Sequence, residues 1–264
     1  MRAVQSREPV VPRVFLATLV ALIALAWLAL WNSDAWPFVH LSHHGMHDSG
    51  MHHPGESNVI RSAALFVGGW MVMSVAMMLP TALPLVVLFT TVVRDRPNRT
   101  VAALLLCAGY LMVWTCAGIF AYVLVEAWRG AAAHLDWLHA SPWLFGSAVC
   151  LIAGAFQFSS IKYACLKRCR SPFSFVAQHW SGRRPYLNAW SLGLHHGLFC
   201  VGCCWALMLL MLLPAVANPG WMLALAAAMA VEKNLSWGRA VVRPIGASLI
   251  GIGLGIATVH LPWI

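Results

Sequence analysis

The sequence predicts an all-α protein, a polytopic membrane helix bundle of about seven transmembrane helices with its N-terminus in the cytoplasm. Three observations carry that expectation. The 264-residue chain is 61% apolar and only 9% charged, with a mean hydropathy of +0.75, a composition outside the range of soluble domains. Apolar runs near twenty residues recur along it, the length a helix needs to cross ~30 Å of hydrocarbon. The cationic residues are spread unevenly over the segments between those runs.

Taken in order, residues 1–13 are a polar tail with Arg2, Arg7 and Arg13. Residues 14–31 form the first span; no small-residue cleavage site follows, so the segment reads as retained. Residues 32–61 form a loop that contains HLSHHGMHDSGMHHPG, 40–55. Its Gly/Ser background cannot bury a core. Residues 62–264 form the membrane core of six further helices. The second span is Ser62–Val93, in which Pro80 and Pro84 kink the helix or end its regular part. Met73 and Met77 lie one turn apart in it, with Met78 beside them. RDRPNR, 94–99, is a short basic loop. The third span is Val101–Val125, with Cys107, Met112 and Cys116. Residues 126–141 form a loop with His134, Asp136 and His139. The fourth span is Pro142–Ile161, with Cys150 and Gln157.

Residues 162–185 are the most basic segment, and Cys165 and Cys169 lie one helical turn apart at its start. The fifth span is Leu187–Leu213. Asn218-Pro219-Gly220 makes a turn. Residues 221–231 are a short sixth span closed by Glu232, Lys233 and Asn234. Pro244–Val259 is the seventh, and its glycines permit close helix packing. Fourteen Trp suit interfacial belts.

Seven alternating spans with a cytoplasmic N-terminus put fifteen Lys and Arg inside and two, Arg61 and Arg129, outside. That asymmetry obeys the positive-inside rule. It turns the His/Met loop outward and the Cys165/Cys169 pair inward, in a bacterial inner membrane. The +9 charge therefore reflects topology and lipid contact, and nucleic acid is not expected as a partner. The cysteines lie mostly inside apolar runs, unlike a secreted disulfide framework. No P-loop, dinucleotide fingerprint, HExxH or Ser/His/Asp set is present, so no catalytic residue is assigned. No internal repeat is seen, which disfavours an inverted-repeat transporter.

The chemistry concentrates in Leu192–Met211, LGLHHGLFCVGCCWALMLLM. On a helix, His196, Cys200, Cys203, Cys204, Met208 and Met211 fall at spacings that share one broad face. Imidazole, thiolate and thioether together suit Cu(I) first and zinc second. Met73, Met77 and Met78 offer further soft ligands if the second span packs there. In the outer loop, His40, His43, His44, Met46, His47, Met51, His52 and His53 suit metal capture by a mobile arm. The Cys165/Cys169 pair suits an inner exit site. Each group also has a plain reading: buried Cys and Met often only pack, and a His-rich loop can be simply solvated. Cys200 and Cys203 equally suit thiol redox chemistry. Glu232 at a membrane boundary needs a partner; its nearest candidate in sequence is Lys233.

GGWMVMSVAMMLP (68–80), LKRCRSP (166–172), LGLHHGLFCVGCCWALM (192–208) and AMAVEK (228–233) resemble the DUF2182 family of predicted metal-binding integral membrane proteins. The resemblance covers about residues 64–233. It rests on Trp70, Met77, Met78 and Pro80, on His196, Gly197, Cys200, Gly202, Cys203, Cys204 and Trp205, and on Glu232 and Lys233. It implies metal binding, with copper the metal usually supposed, and it names no reaction. The His-rich 40–53 stretch lies outside it. The sequence thus predicts a soft-metal protein that handles copper or delivers it to a membrane or periplasmic cuproenzyme. The rival functions are a thiol–disulfide oxidoreductase and a scaffold subunit of a membrane complex.

Overall fold

The computed structural model describes residues 13–32, 56–96, 98–135, 137, 141, 143–179, 184–213 and 218–260. Among them the chain forms ten α-helices, one 3-10 turn and no strand. The His/Met arm of 40–53, together with Asp136 and His139, lies outside the described residues.

Helix α1 (Arg13–Asn32) packs on α2 (Glu56–Met77), and α3 (Leu79–Val92) follows α2 after a break at Met78. The break has a local cause. Pro80 carries no N–H, so the Ala76 carbonyl loses its partner four residues on. The indole of Trp27 on α1 donates to that carbonyl at 3.0 Å. The Met78 carbonyl accepts from Thr81 N–H (3.1 Å), from the Thr81 hydroxyl (2.8 Å) and from the Tyr110 hydroxyl (3.1 Å). The expected kink at Pro80 is therefore a break whose freed carbonyl finds a new donor, as a dry environment requires.

Helix α4 (Arg99–His134) has 36 residues, ~54 Å at 1.5 Å per residue. It runs straight through residues 126–134, where the fall in hydropathy predicts a loop. Alanines 131–133 are strong helix formers, and Glu126 pairs with Arg129 one turn on at 2.9 Å. Helix α5 (Trp143–Gln157) bends by 66° into α6 (Ser160–Cys169); the Ser159 hydroxyl caps α6 by accepting Ile161 N–H. Helix α7 (Pro172–His179) follows. The basic 162–185 segment thus holds most of α6 and all of α7 instead of a loop. Helix α8 (Pro185–Leu209) ends in a 3-10 turn, Leu210–Leu212. Asn218-Pro219-Gly220 opens helix α9 (Pro219–Asn234): the Asn218 side chain accepts Trp221 N–H, with Pro219 in the first turn. Helix α10 (Gly238–His260) completes the chain.

The centre of the bundle is the α4–α8 pair. A methyl added at Gly193 would lie 2.1 Å from the Leu106 carbonyl oxygen, and one at Gly109 2.5 Å from that of Trp190. The two backbones are in direct contact along this seam, which only small residues allow. A second close pair joins α5 and α10, where the Ser147 hydroxyl donates to the Gly253 carbonyl at 2.8 Å. Gly246 and Gly253 serve the expected close packing; Gly251 and Gly255 face open space.

Among the described residues, five stretches are long and apolar enough to cross a membrane: α1, α2, α4, α8 with its 3-10 turn, and α10. The bent α5/α6 pair makes a sixth if counted as one span. Helices α3 and α9, with 14 and 16 residues, are shorter. Large apolar side chains such as Val14, Phe120 and Ile161 are more than 60% exposed. Length, composition and exposed apolar surface are thus consistent with a membrane protein.

Candidate functional site

Helix α8 buries the face on which its soft ligands lie: His196, Cys200, Cys203, Cys204 and Met208 are all at most 5% exposed. All eight cysteines are free. The face divides in two. Cys200 and Cys204 are 40° apart around a helix at 100° per residue and point together. Cys203, on the other side of Cys200, points elsewhere.

The Cys200/Cys204 side meets Met78 at the α2–α3 break, Tyr110 of α4 and Lys233 of α9. Cys204 Sγ is 3.7 Å from Met78 Sδ. Tyr110 Oη is 3.1 Å from Cys200 Sγ. Lys233 Nζ donates to Cys200 Sγ at 3.0 Å, to Met78 Sδ at 3.6 Å, to Cys204 Sγ at 3.7 Å and to the Thr81 hydroxyl at 3.3 Å. Both Cys203 and Cys204 direct their thiols at the Cys200 carbonyl, at 3.1 and 2.9 Å. Lys233 is 6% exposed, so its amine takes all its compensation from these neighbours. Three of the four are sulfur.

The Cys203 side meets α6. Cys203 Sγ and Cys169 Sγ are 3.9 Å apart. Gly202 lets Cys165 close against α8: a methyl there would sit 2.8 Å from Cys165 Sγ. The α6 cysteines are half-buried, so sulfur continues from the fully buried pocket toward the surface. An ion pair fastens this side. Lys162 Nζ is 2.6 Å from Glu232 Oε2, with both side chains at most 2% exposed. Lys162 also donates to the Cys203 carbonyl at 3.1 Å, and the Arg170 guanidinium donates to the backbone carbonyls of Glu232 and Ser236. The partner of Glu232 is therefore Lys162 and not its neighbour Lys233. Adjacent helix residues point about 100° apart, which sends one side chain to α6 and the other to the sulfurs. Lys162 and Lys233, counted among the inner loop charges, are both core residues.

The expected ligands separate accordingly. Met78 reaches the cysteines, while Met73, Met77 and Met208 are buried in the apolar core. His196 packs between the rings of Tyr110 and Phe175, at centroid distances of 5.9 and 5.7 Å, and its Nδ1 has no partner among the described residues. Among the described residues no three His, Cys, Asp or Glu side chains gather as a metal-holding group. The sequence reading did not connect Lys233, Lys162, Tyr110 or Thr81 to the site. The signal available for the two lysines was an ionisable residue beside or within an apolar helix; Tyr110 and Thr81 gave none. The cysteine pair of α6 joins the α8 cluster.

The donor set suits a soft monovalent ion. Metal–sulfur bonds near ~2.3 Å span up to ~4.6 Å between two sulfurs, and 3.7 Å lies within that reach. Two thiols with one thioether match the preferences of Cu(I). Other motif residues act by packing: Trp70 lies on Gly118, Gly197 on Val113, and the Trp205 ring stands edge-on to Phe156 at 5.0 Å.

A family model described as PpoB2, copper chaperone, matches residues 67–256. No curated protein and no solved structure matches the chain.

Proposed function

The chain belongs to the copper-chaperone family, and from that premise we propose that it is an integral membrane carrier of Cu(I) that delivers the ion to a cuproenzyme. The observation that carries this reading is the convergence of Cys200 Sγ, Cys204 Sγ and Met78 Sδ around one buried cationic position. Three soft ligands suit low-coordinate Cu(I) better than zinc, which takes four. Cys203, Cys169 and Cys165 continue the sulfur toward a half-buried surface and offer a path by which a ligand-exchanging ion leaves. The lipid bilayer and an acceptor cuproenzyme are the partners, and the bacterial inner membrane is the location. In this reading the α5/α6 pair and α9 also cross and α3 counts with α2 as one broken span, which makes seven spans with the N-terminus inside. The arm with His40, His43, His44, Met46, His47, Met51, His52 and His53 collects copper outside. The stretch that resembles DUF2182 proteins lies almost wholly within the matched residues.

Copper analysis of the purified protein tests the reading. The wild type should retain copper at one ion per chain, with an X-ray absorption spectrum dominated by sulfur. Cys200→Ser with Cys204→Ser should abolish retention, and replacing the six arm histidines by Ser should not. A nitrogen- and oxygen-dominated spectrum would move the site to the arm and leave the α8 cysteines as packing. The Cys169–Cys203 separation of 3.9 Å favours one second reading, a membrane thiol oxidoreductase using that pair in place of Cys200 and Cys203. A reversible Cys169–Cys203 disulfide without bound metal is its signature.

A further inference from the structure

We infer that the ammonium of Lys233 is a placeholder cation that holds the Cys200/Cys204/Met78 site closed and must withdraw for Cu(I) to enter. The inference rests on the copper reading above and adds how the site is kept empty and how it opens. Its basis is positional. Lys233 Nζ stands 3.0, 3.7 and 3.6 Å from the three sulfurs, while Cys204 Sγ and Met78 Sδ are themselves only 3.7 Å apart. An ion bonded to those sulfurs at ~2.3 Å falls where the amine and its hydrogens now are, so the two cations exclude one another. Thr81 anchors the amine from the fourth side at 3.3 Å.

The lysine also has a way out. It lies in the last turn of α9. Residues 234–237, which follow it, are all exposed. Four methylenes let the head group swing toward that surface while its stem stays on apolar neighbours. The exchange needs no oxidant or reductant: the ammonium swings out still charged, and each thiol proton, including the one that Cys204 directs at the Cys200 carbonyl, passes to water as its sulfur bonds the ion.

A lysine-filled site lowers apparent copper affinity by the fraction of molecules in which the amine is out. When that fraction is a minor state of roughly 10% or less, Lys233→Leu, which removes the amine and adds no ligand atom, should tighten Cu(I) binding about tenfold or more. The measurement is competition of the detergent-solubilised full chain against a chromophoric Cu(I) chelator. Thr81→Val should shift binding the same way by a smaller factor, and Thr81→Ser should match the wild type. A variant-free test guards against misfolding: Cu(I) should increase acylation of Lys233 in the wild-type protein by a membrane-permeant amine reagent, read by mass spectrometry. Unchanged or weaker copper binding by Lys233→Leu, or lysine labelling indifferent to Cu(I), would overturn the placeholder role while leaving the copper site standing. If neither wild type nor Lys233→Leu retains Cu(I), the copper reading fails first and the placeholder with it.

Discussion

Replacing Lys162 by Met should be among the most damaging single changes in this protein. Lys162 and Glu232 are 0% and 2% exposed and meet at 2.6 Å. Two opposite charges withdrawn this far from water are tolerable only together. Met conserves the length of the stem, so the loss is electrical. It strands the Glu232 carboxylate, whose second oxygen already lacks a partner, and it frees the Cys203 carbonyl that Lys162 holds at 3.1 Å. Breaking one partner of a buried pair costs about 3–5 kcal/mol, and loss of the second hydrogen bond to the Cys203 carbonyl, which keeps its partner within the helix, adds about 1 kcal/mol. Glu232→Leu alone should cost a similar amount, because it strands the ammonium instead. The double variant, with no charge left, should recover most of the loss. A double-mutant cycle in reversible detergent unfolding measures the coupling. The Arg94–Asp95 pair, 40% and 88% exposed, serves as control, since exposed pairs contribute about 0–1 kcal/mol. If Lys162→Met costs no more than that control, or the double variant is as damaged as the sum of its parts, the pair is not the electrostatic clasp argued here.

Three further outcomes follow from the geometry. Met78→Leu should weaken Cu(I) binding about tenfold or more, measured by chelator competition, while costing under ~1.5 kcal/mol of stability as a volume-conserving change; Met77→Leu should leave copper binding unaltered. Gly193→Ala should lower stability by at least ~3 kcal/mol in the same unfolding assay, above the usual range for overpacking, because its methyl meets the Leu106 backbone and no side chain can move aside. In intact cells, a cysteine introduced at position 48 should react with an impermeant thiol reagent and one at position 168 should not; the reverse pattern would invert the topology.

Much of the fold was legible because its governing signal is local. Apolar runs mark α1, α4, α8 and α10 directly. Boundaries were misjudged where hydropathy and helix propensity part company, as at residues 126–134: polarity rises there, yet the chain has no reason to leave the helix. Within the candidate site, the buried face of α8 could be read off its spacing, since residues three and four apart must share a side. What lies opposite that face could not. Lys233 and Glu232 look like a local pair, and only the positions of α6 and α9 reveal that each faces a different helix. Likewise, Met73, Met77 and Met78 are equivalent candidates in sequence, and the break after Met77 selects the one that reaches the cysteines.

The α4–α8 seam carries a mechanical consequence. Because main chain rests on main chain at Gly109 and Gly193, these two helices can neither slide nor part without losing their contact altogether. They form a fixed jaw, on which Tyr110, Cys200 and Cys204 are mounted. Everything that closes on them from the other side is hung differently. Met78 sits at a broken joint, Lys233 on the last turn of a 16-residue helix, and Cys169 on a 10-residue helix set at 66° to its neighbour. Whatever motion admits or releases a guest belongs to that second jaw, so changes in spacing on loading should register on α6 and α9 while α4 and α8 keep theirs.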